Sequence, residues 1–125
     1  MEEIFDSLEN SLERFREILE KEKTVANRDS AIKRFEFTVE LAWKSMQKFL
    51  RLQKIICRSP KECLKEAFKF GLIRDNPKWL EMLDDRNLTV HTYDEKVADE
   101  VCTRFPDYLK LLSGFKDNLQ DKLRR

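Results

Sequence analysis

The stretch Asp29–Ile55, DSAIKRFEFTVELAWKSMQKFLRLQKI, decides the fold. Its apolar residues Ile32, Phe35, Val39, Ala42, Met46 and Phe49 return at steps of three and four, the period of one helix face. Glu36, Glu40, Lys44 and Lys48 climb the same helix at four-residue spacing. Glu40 precedes Lys44 in the order that favours an ion pair, worth a few tenths of a kcal/mol. The stretch reads as one long amphipathic helix with a solvated face.

The helical grammar continues on both sides. Upstream, Ile4, Phe5, Leu8, Leu12, Phe15, Ile18 and Leu19 predict a helix over Glu2 to Lys21, followed by a polar connector from Glu22 to Arg28. Downstream, Ser59-Pro60-Lys61-Glu62 is a capping box with proline where a missing N–H costs nothing. A third helix therefore runs from Pro60 to Phe70 and stops at Gly71, a natural left-handed cap. Asn76-Pro77 starts a fourth that ends near Thr92, and Asp94 starts a fifth, which Pro106 should kink or break. The pattern resumes through Tyr108, Leu111, Leu112, Phe115, Leu119 and Leu123, with fraying expected at Arg124-Arg125. These elements predict an all-α, antiparallel up-and-down bundle of four to five helices, occupying residues 1–125 as one domain.

Composition removes other classes. The 125 residues hold 25 Lys and Arg against 24 Asp and Glu, a net charge of +1, which argues against a broad basic nucleic-acid face. Two glycines cannot supply a phosphate-cradling loop or the turns of a many-stranded β fold. No apolar run is long enough to span a bilayer, and Met1-Glu2-Glu3 lacks the order of a signal peptide, so a cytoplasmic protein without membrane contact is expected. Cys57, Cys63 and Cys102 are odd in number and widely spaced, which predicts reduced thiols; with one histidine, a zinc site is not expected.

The fourth helix breaks the pattern. On a wheel of about 100° per residue, Met82, Tyr93, Arg86, Trp79, Val90, Leu83, Asn87, Leu80 and His91 form one arc, the face expected to be buried. Lys78, Glu81, Asp85 and Thr89 fall outside it. Arg86 sits inside the arc, and burying an unpaired charge costs several kcal/mol. Two readings stand side by side. In one, Arg86 pairs with a carboxylate and His91 is a satisfied core or interface histidine. In the other, Arg86 holds a phosphate through its planar fork and His91 moves a proton near neutral pH. Arg86 and His91 point about 140° apart, so one helix does not bring them together. Two such helices packed face to face would pool two Arg/His sets, which predicts a homodimer.

At these residues the chain resembles a known family. Trp79 through Tyr93, WLEMLDDRNLTVHTY, is similar to the signature of HEPN-domain proteins of the nucleotidyltransferase substrate-binding branch. Arg34-Phe35-Glu36-Phe37 with Glu40-Leu41-Ala42-Trp43-Lys44 resembles that family's second helix, and Ser59-Pro60 through Phe70-Gly71-Leu72-Ile73 its third helix and turn. The resemblance implies a dimer that unites two R-x4-H motifs in one cleft and acts as a metal-independent endoribonuclease toxin without a cofactor. By that similarity Arg86 stabilises charge on the attacked phosphate. His91 acts as base toward the ribose 2′-hydroxyl or acid toward the leaving group, and Asn87 orients the phosphate or His91. It also implies a minimal nucleotidyltransferase partner, in a heterotetramer or larger complex, that uses ATP to add AMP to Tyr93. A bulky anion beside Arg86 would block the phosphate site. The alternatives are an interfacial role for Tyr93 and, for the whole chain, a non-catalytic subunit presenting substrate or nucleotide to the nucleotidyltransferase. Trp43 and Trp79 read mainly as core, the cysteines as packing residues, and Asp84-Asp85 as pairing with basic residues of the partner.

Overall fold

A computed structural model describes residues 1–124. The described residues form six helices: α1 (Glu2–Glu20), α2 (Val25–Leu52), α3 (Pro60–Phe70), α4 (Lys78–Leu88), α5 (Glu95–Thr103) and α6 (Phe105–Leu123). A short 3-10 turn, Thr89–His91, extends α4. The expected all-α bundle is present, with one helix more because the segment around Pro106 breaks fully at Arg104. The fraying expected at Arg125 lies outside the described residues, while the Arg124 amide still bonds the Gln120 carbonyl.

Local chemistry sets the boundaries. Helix α2 begins four residues earlier than the apolar stripe suggests, because the Thr24 hydroxyl accepts from the Asn27 amide and caps the first turn. It ends earlier too. Lys54 takes a left-handed φ of 64°, and the Ile55 amide bonds back to the Leu50 carbonyl at 2.8 Å. Helix α3 closes the same way, with Gly71 at φ 92° and the Leu72 amide on Ala67. At its start the Ser59 hydroxyl accepts from the Glu62 amide at 3.2 Å. Asp94 caps α5 by accepting from the Lys96 and Val97 amides.

Helix α2 is the axis of the bundle, packing against each of the other five helices, with α1 laid along it most extensively. Phe15 of α1, Phe35 of α2 and Phe105 and Tyr108 of α6 meet in a buried aromatic centre, with Phe35 and Phe105 stacked at 4.6 Å. Ser11 and Thr38 join α1 to α2 through a buried hydroxyl pair at 2.7 Å. The Glu/Lys face of α2 is not wholly a solvated ladder, since Glu40 turns toward α4.

The cysteine expectation is overturned. Cys57 and Cys63 form a disulfide, both residues in the core, while Cys102 is free. Spacing alone hides this, because the pairing depends on the first turn of α3 folding back over the α2–α3 loop, which brings the two Cα atoms to 5.1 Å. Burial pushes the Cys102 thiol up to about 11, with nearby carboxylates adding to the rise, which disfavours the reactive thiolate.

Candidate functional site

The polar residues of the fourth helix lie on its rim. Met82, Leu83 and Trp79 are buried as expected, but Leu80, Asn87, Val90, His91 and Tyr93 are exposed. The buried charge is Asp85, 3% exposed, which the wheel puts outside the arc together with the also buried Thr89. Two causes combine. Helix α4 ends at Leu88 and continues as a tighter 3-10 turn, which advances about 120° per residue and throws off the phase beyond it. The buried face is also rotated toward Asp85, because partners for its carboxylate wait on α6 and at the α5–α6 junction.

Those partners form a closed network. Arg104 grips Asp85 with two N–H groups, Nε on Oδ2 at 2.6 Å and Nη2 on Oδ1 at 2.8 Å. The Tyr108 hydroxyl contacts Asp85 Oδ2 and Glu81 Oε1, the latter at 3.0 Å. The hydrogen bond to Asp85 raises the Arg104 pKa and keeps its charge secure. Burial, then the neighbouring Asp85 and Glu81, pushes the Tyr108 phenol far above its ordinary range. Asp85 therefore pairs within its own chain, not with a partner as expected. The residue before Arg86 bolts α4 to the core.

Arg86 points the other way, toward α2. Its Nη2 bonds Glu40 Oε2 at 2.8 Å, while 42% of the side chain remains open. Glu40 is a hub. The Trp43 indole N–H donates to the same Oε2 at 3.2 Å, and Lys44 Nζ stands 3.7 Å from Oε1. The carboxylate pairing considered for Arg86 is thus present, yet the pair is open to solvent and not buried. Beside it lies a groove of about 320 Å³ lined by Trp43, Ser59, Pro60, Lys61, Asp84, Arg86 and Asn87 over a floor of Val39 and Leu83. Arg86 and Asn87 share this groove. His91, the last residue of the 3-10 turn, and Tyr93 just past it make a separate exposed pair, with the Tyr93 hydroxyl 3.5 Å from His91 Nδ1 and the rings edge-to-face at 5.9 Å. No hydrogen bond joins Arg86 to His91 among the described residues, in keeping with their divergence on the helix. Sequence patterning places Glu40 only in an exposed ladder; the signal that could have found its role is its place three residues before Trp43 in the segment resembling the family's second helix.

Comparison with known proteins gives a consistent result. A Thermus thermophilus protein of known structure superposes with a TM-score of 0.81 at 38% identity, over 94% of this chain and 99% of its own. A Haemophilus influenzae protein, whose fold is described as that of a substrate binding domain of a nucleotidyltransferase, superposes with a TM-score of 0.72 at 32% identity, over 95% of this chain and 96% of its own. A Haemophilus influenzae relative named as the probable ribonuclease HepT is 40% identical over 97 residues, 74% of this chain and 66% of that protein. Residues 3–121 match the family described as nucleotidyltransferase substrate binding protein like, and the chain belongs to that family.

Proposed function

We propose that the chain is the HEPN subunit of a two-component nucleotidyltransferase system and works as a metal-independent endoribonuclease toxin when two copies join. The observation that carries this reading is Arg86, anchored through one nitrogen by Glu40 while the rest of its fork stays open beside Asn87. A guanidinium held this way is pre-oriented for phosphate oxygens, where fixed positive charge stabilises the transition state. His91 is exposed and unencumbered apart from Tyr93, as a proton-transfer group requires. Because Arg86 and His91 diverge within one chain, the chemistry belongs to a homodimer that brings both sets to one cleft. The name of the HepT relative supports the same activity.

In this proposal the partner is a minimal nucleotidyltransferase, in a heterotetramer or larger assembly, which joins the Tyr93 oxygen to the α-phosphate of ATP as the phenol proton leaves and pyrophosphate is released. Tyr93 is 81% exposed and beside His91, so it is accessible to an enzyme, and an added phosphate there would place negative charge at the proton-transfer group. The test is expression without the partner. Wild type should arrest growth and cleave RNA, while Arg86→Ala and His91→Ala should be harmless and lose activity by about 100-fold or more, the scale of a lost acid–base group. Equal harmlessness and equal inertness of wild type and His91→Ala would remove the ribonuclease reading. For Tyr93, incubation with the partner and ATP should add one AMP to the intact mass, and Tyr93→Phe should add none.

A second reading is favoured by the balanced charge of 25 basic and 24 acidic residues and by the substrate-binding description of the Haemophilus structure. Here the chain is a non-catalytic subunit that presents substrate or nucleotide to the nucleotidyltransferase. It predicts normal complex formation and no cleavage by the dimer.

A further inference from the structure

We propose that the groove between α2, α3 and α4 is a nucleotide subsite, in which a nucleobase lies against the Trp43 indole and its phosphate is held by Arg86. This rests on the reading that Arg86 takes a phosphate, but not on any cleavage step. Three observations meet here. Trp43 is half-buried and lines the groove of about 320 Å³ together with Pro60, which adds a second apolar surface to the same groove. The Trp43 indole is fixed in place: one carboxylate, Glu40 Oε2, accepts from both the Trp43 indole N–H at 3.2 Å and Arg86 Nη2 at 2.8 Å. A single anchor thus sets the orientation of a flat aromatic surface and of a phosphate-binding fork in one groove. The polar lining holds groups for both parts of a nucleotide, Arg86 and Lys61 suited to the phosphate and Asp84 able to accept from an exocyclic amino group of a base. Base-on-aromatic stacking tolerates many bases, so the site would add affinity without strong sequence choice. It also answers the charge balance of the chain, since a nucleotide can be held locally without a basic face.

The test titrates the full-length protein with AMP, adenosine, inorganic phosphate and a short oligoribonucleotide by calorimetry, and follows the indole N–H resonances by NMR. AMP should bind roughly ten-fold or more tighter than inorganic phosphate, the fold-change that one stacked base supplies. The Trp43 indole resonance should shift, while that of Trp79, packed edge-on against Phe115, should not. Trp43→Ala should bring AMP down to the affinity of phosphate. Asp84→Leu, a change at an exposed helix position that fills the groove without touching the core, should do the same, so the outcome does not depend on how well Trp43→Ala folds. If the oligoribonucleotide displaces AMP, the subsite holds a nucleotide of RNA; if AMP binds and the oligoribonucleotide does not compete, it holds a free nucleotide. The proposal is overturned if AMP and phosphate bind equally to wild type, or if both variants keep the wild-type preference for AMP. The readout is binding of AMP and not cleavage of RNA, and His91 does not line the groove. Loss of the ribonuclease reading therefore leaves this result standing, and the reverse also holds.

Discussion

At the scale of single residues, Asp85 and Arg86 divide the work of one helical turn. Asp85 faces inward and is fully answered by Arg104 and Tyr108, so it fixes where α4 sits. Arg86 faces the groove and is answered only in part. Removing one member of a buried pair leaves its partner's charge or hydroxyl uncompensated, which costs about 3–5 kcal/mol. Asp85→Ala should therefore destabilise the protein by about that amount in urea unfolding at unchanged m-value. A cost below about 1 kcal/mol would mean the network is not closed in solution. Tyr108 gives a pH-dependent counterpart. Its phenol is held protonated in the native state by burial and by Asp85 and Glu81, whereas the unfolded phenol releases its proton near an ordinary value of 10.0. Above that pH the unfolded state binds fewer protons than the native one, so stability present below about pH 10 falls as pH rises further. Wild type should lose stability between about pH 9.5 and 11.5 more steeply than Tyr108→Phe, because the variant lacks the titrating group. Parallel alkaline slopes would show that Tyr108 titrates alike in both states.

At the scale of elements, the two helix endings of α2 and α3 form a natural experiment. Both close with the same backward amide bond across a left-handed residue, but α3 uses Gly71 and α2 uses Lys54 at φ 64°. A side chain in that region carries a steric penalty that glycine does not. Lys54→Gly should therefore raise stability by about 0.5–1 kcal/mol, readable as a higher urea midpoint. Just beyond, the Cys57–Cys63 disulfide ties the α2–α3 loop to α3 and so holds the Ser59–Lys61 wall of the groove. Its loop is short, so reduction should cost only about 2 kcal/mol. Thermal unfolding with and without a thiol reductant should show a modest drop in Tm that is absent in the Cys57→Ser/Cys63→Ser double variant. The helices themselves were legible from apolar spacing and caps: Ser59, Gly71, Asp94 and the Pro106 break all act where the sequence placed them. What was not legible had two causes. The Thr24 cap and the left-handed Lys54 are local, but they lie outside the apolar stripe from which the helix was read and Lys54 is not a glycine, whereas the disulfide depends on how the α2–α3 loop folds back.

At the scale of the whole molecule, the candidate site was legible in its residues and not in its arrangement. Arg86, Asn87, His91 and Tyr93 stood out because they interrupt an apolar arc, but the arc assumed a uniform helix, and the 3-10 turn swings the last of them to the surface. The proposed homodimer would cover part of the surface that results. Val90 is 72% exposed and Leu80 and Tyr93 are open as well, the first two on the α4–turn segment that carries Arg86 and His91 and the third just past it. In the proposed homodimer these exposed side chains lie at the interface, and a symmetric pairing through them would set two Arg86 and two His91 around one cleft. Val90→Asp, an exposed position that should not disturb folding, is expected to shift the protein from dimer to monomer in sedimentation and to abolish RNA cleavage with it. Complementation probes the pooled site directly. Arg86→Ala and His91→Ala homodimers should each be inactive, but a co-expressed, affinity-purified heterodimer carries one intact Arg86 and one intact His91 in the shared cleft. Such a heterodimer should recover measurable cleavage if the two protomers build one site. A heterodimer as inert as either parent, from a wild type that does cleave RNA, would place all the working groups within a single chain and remove the dimeric cleft from the mechanism.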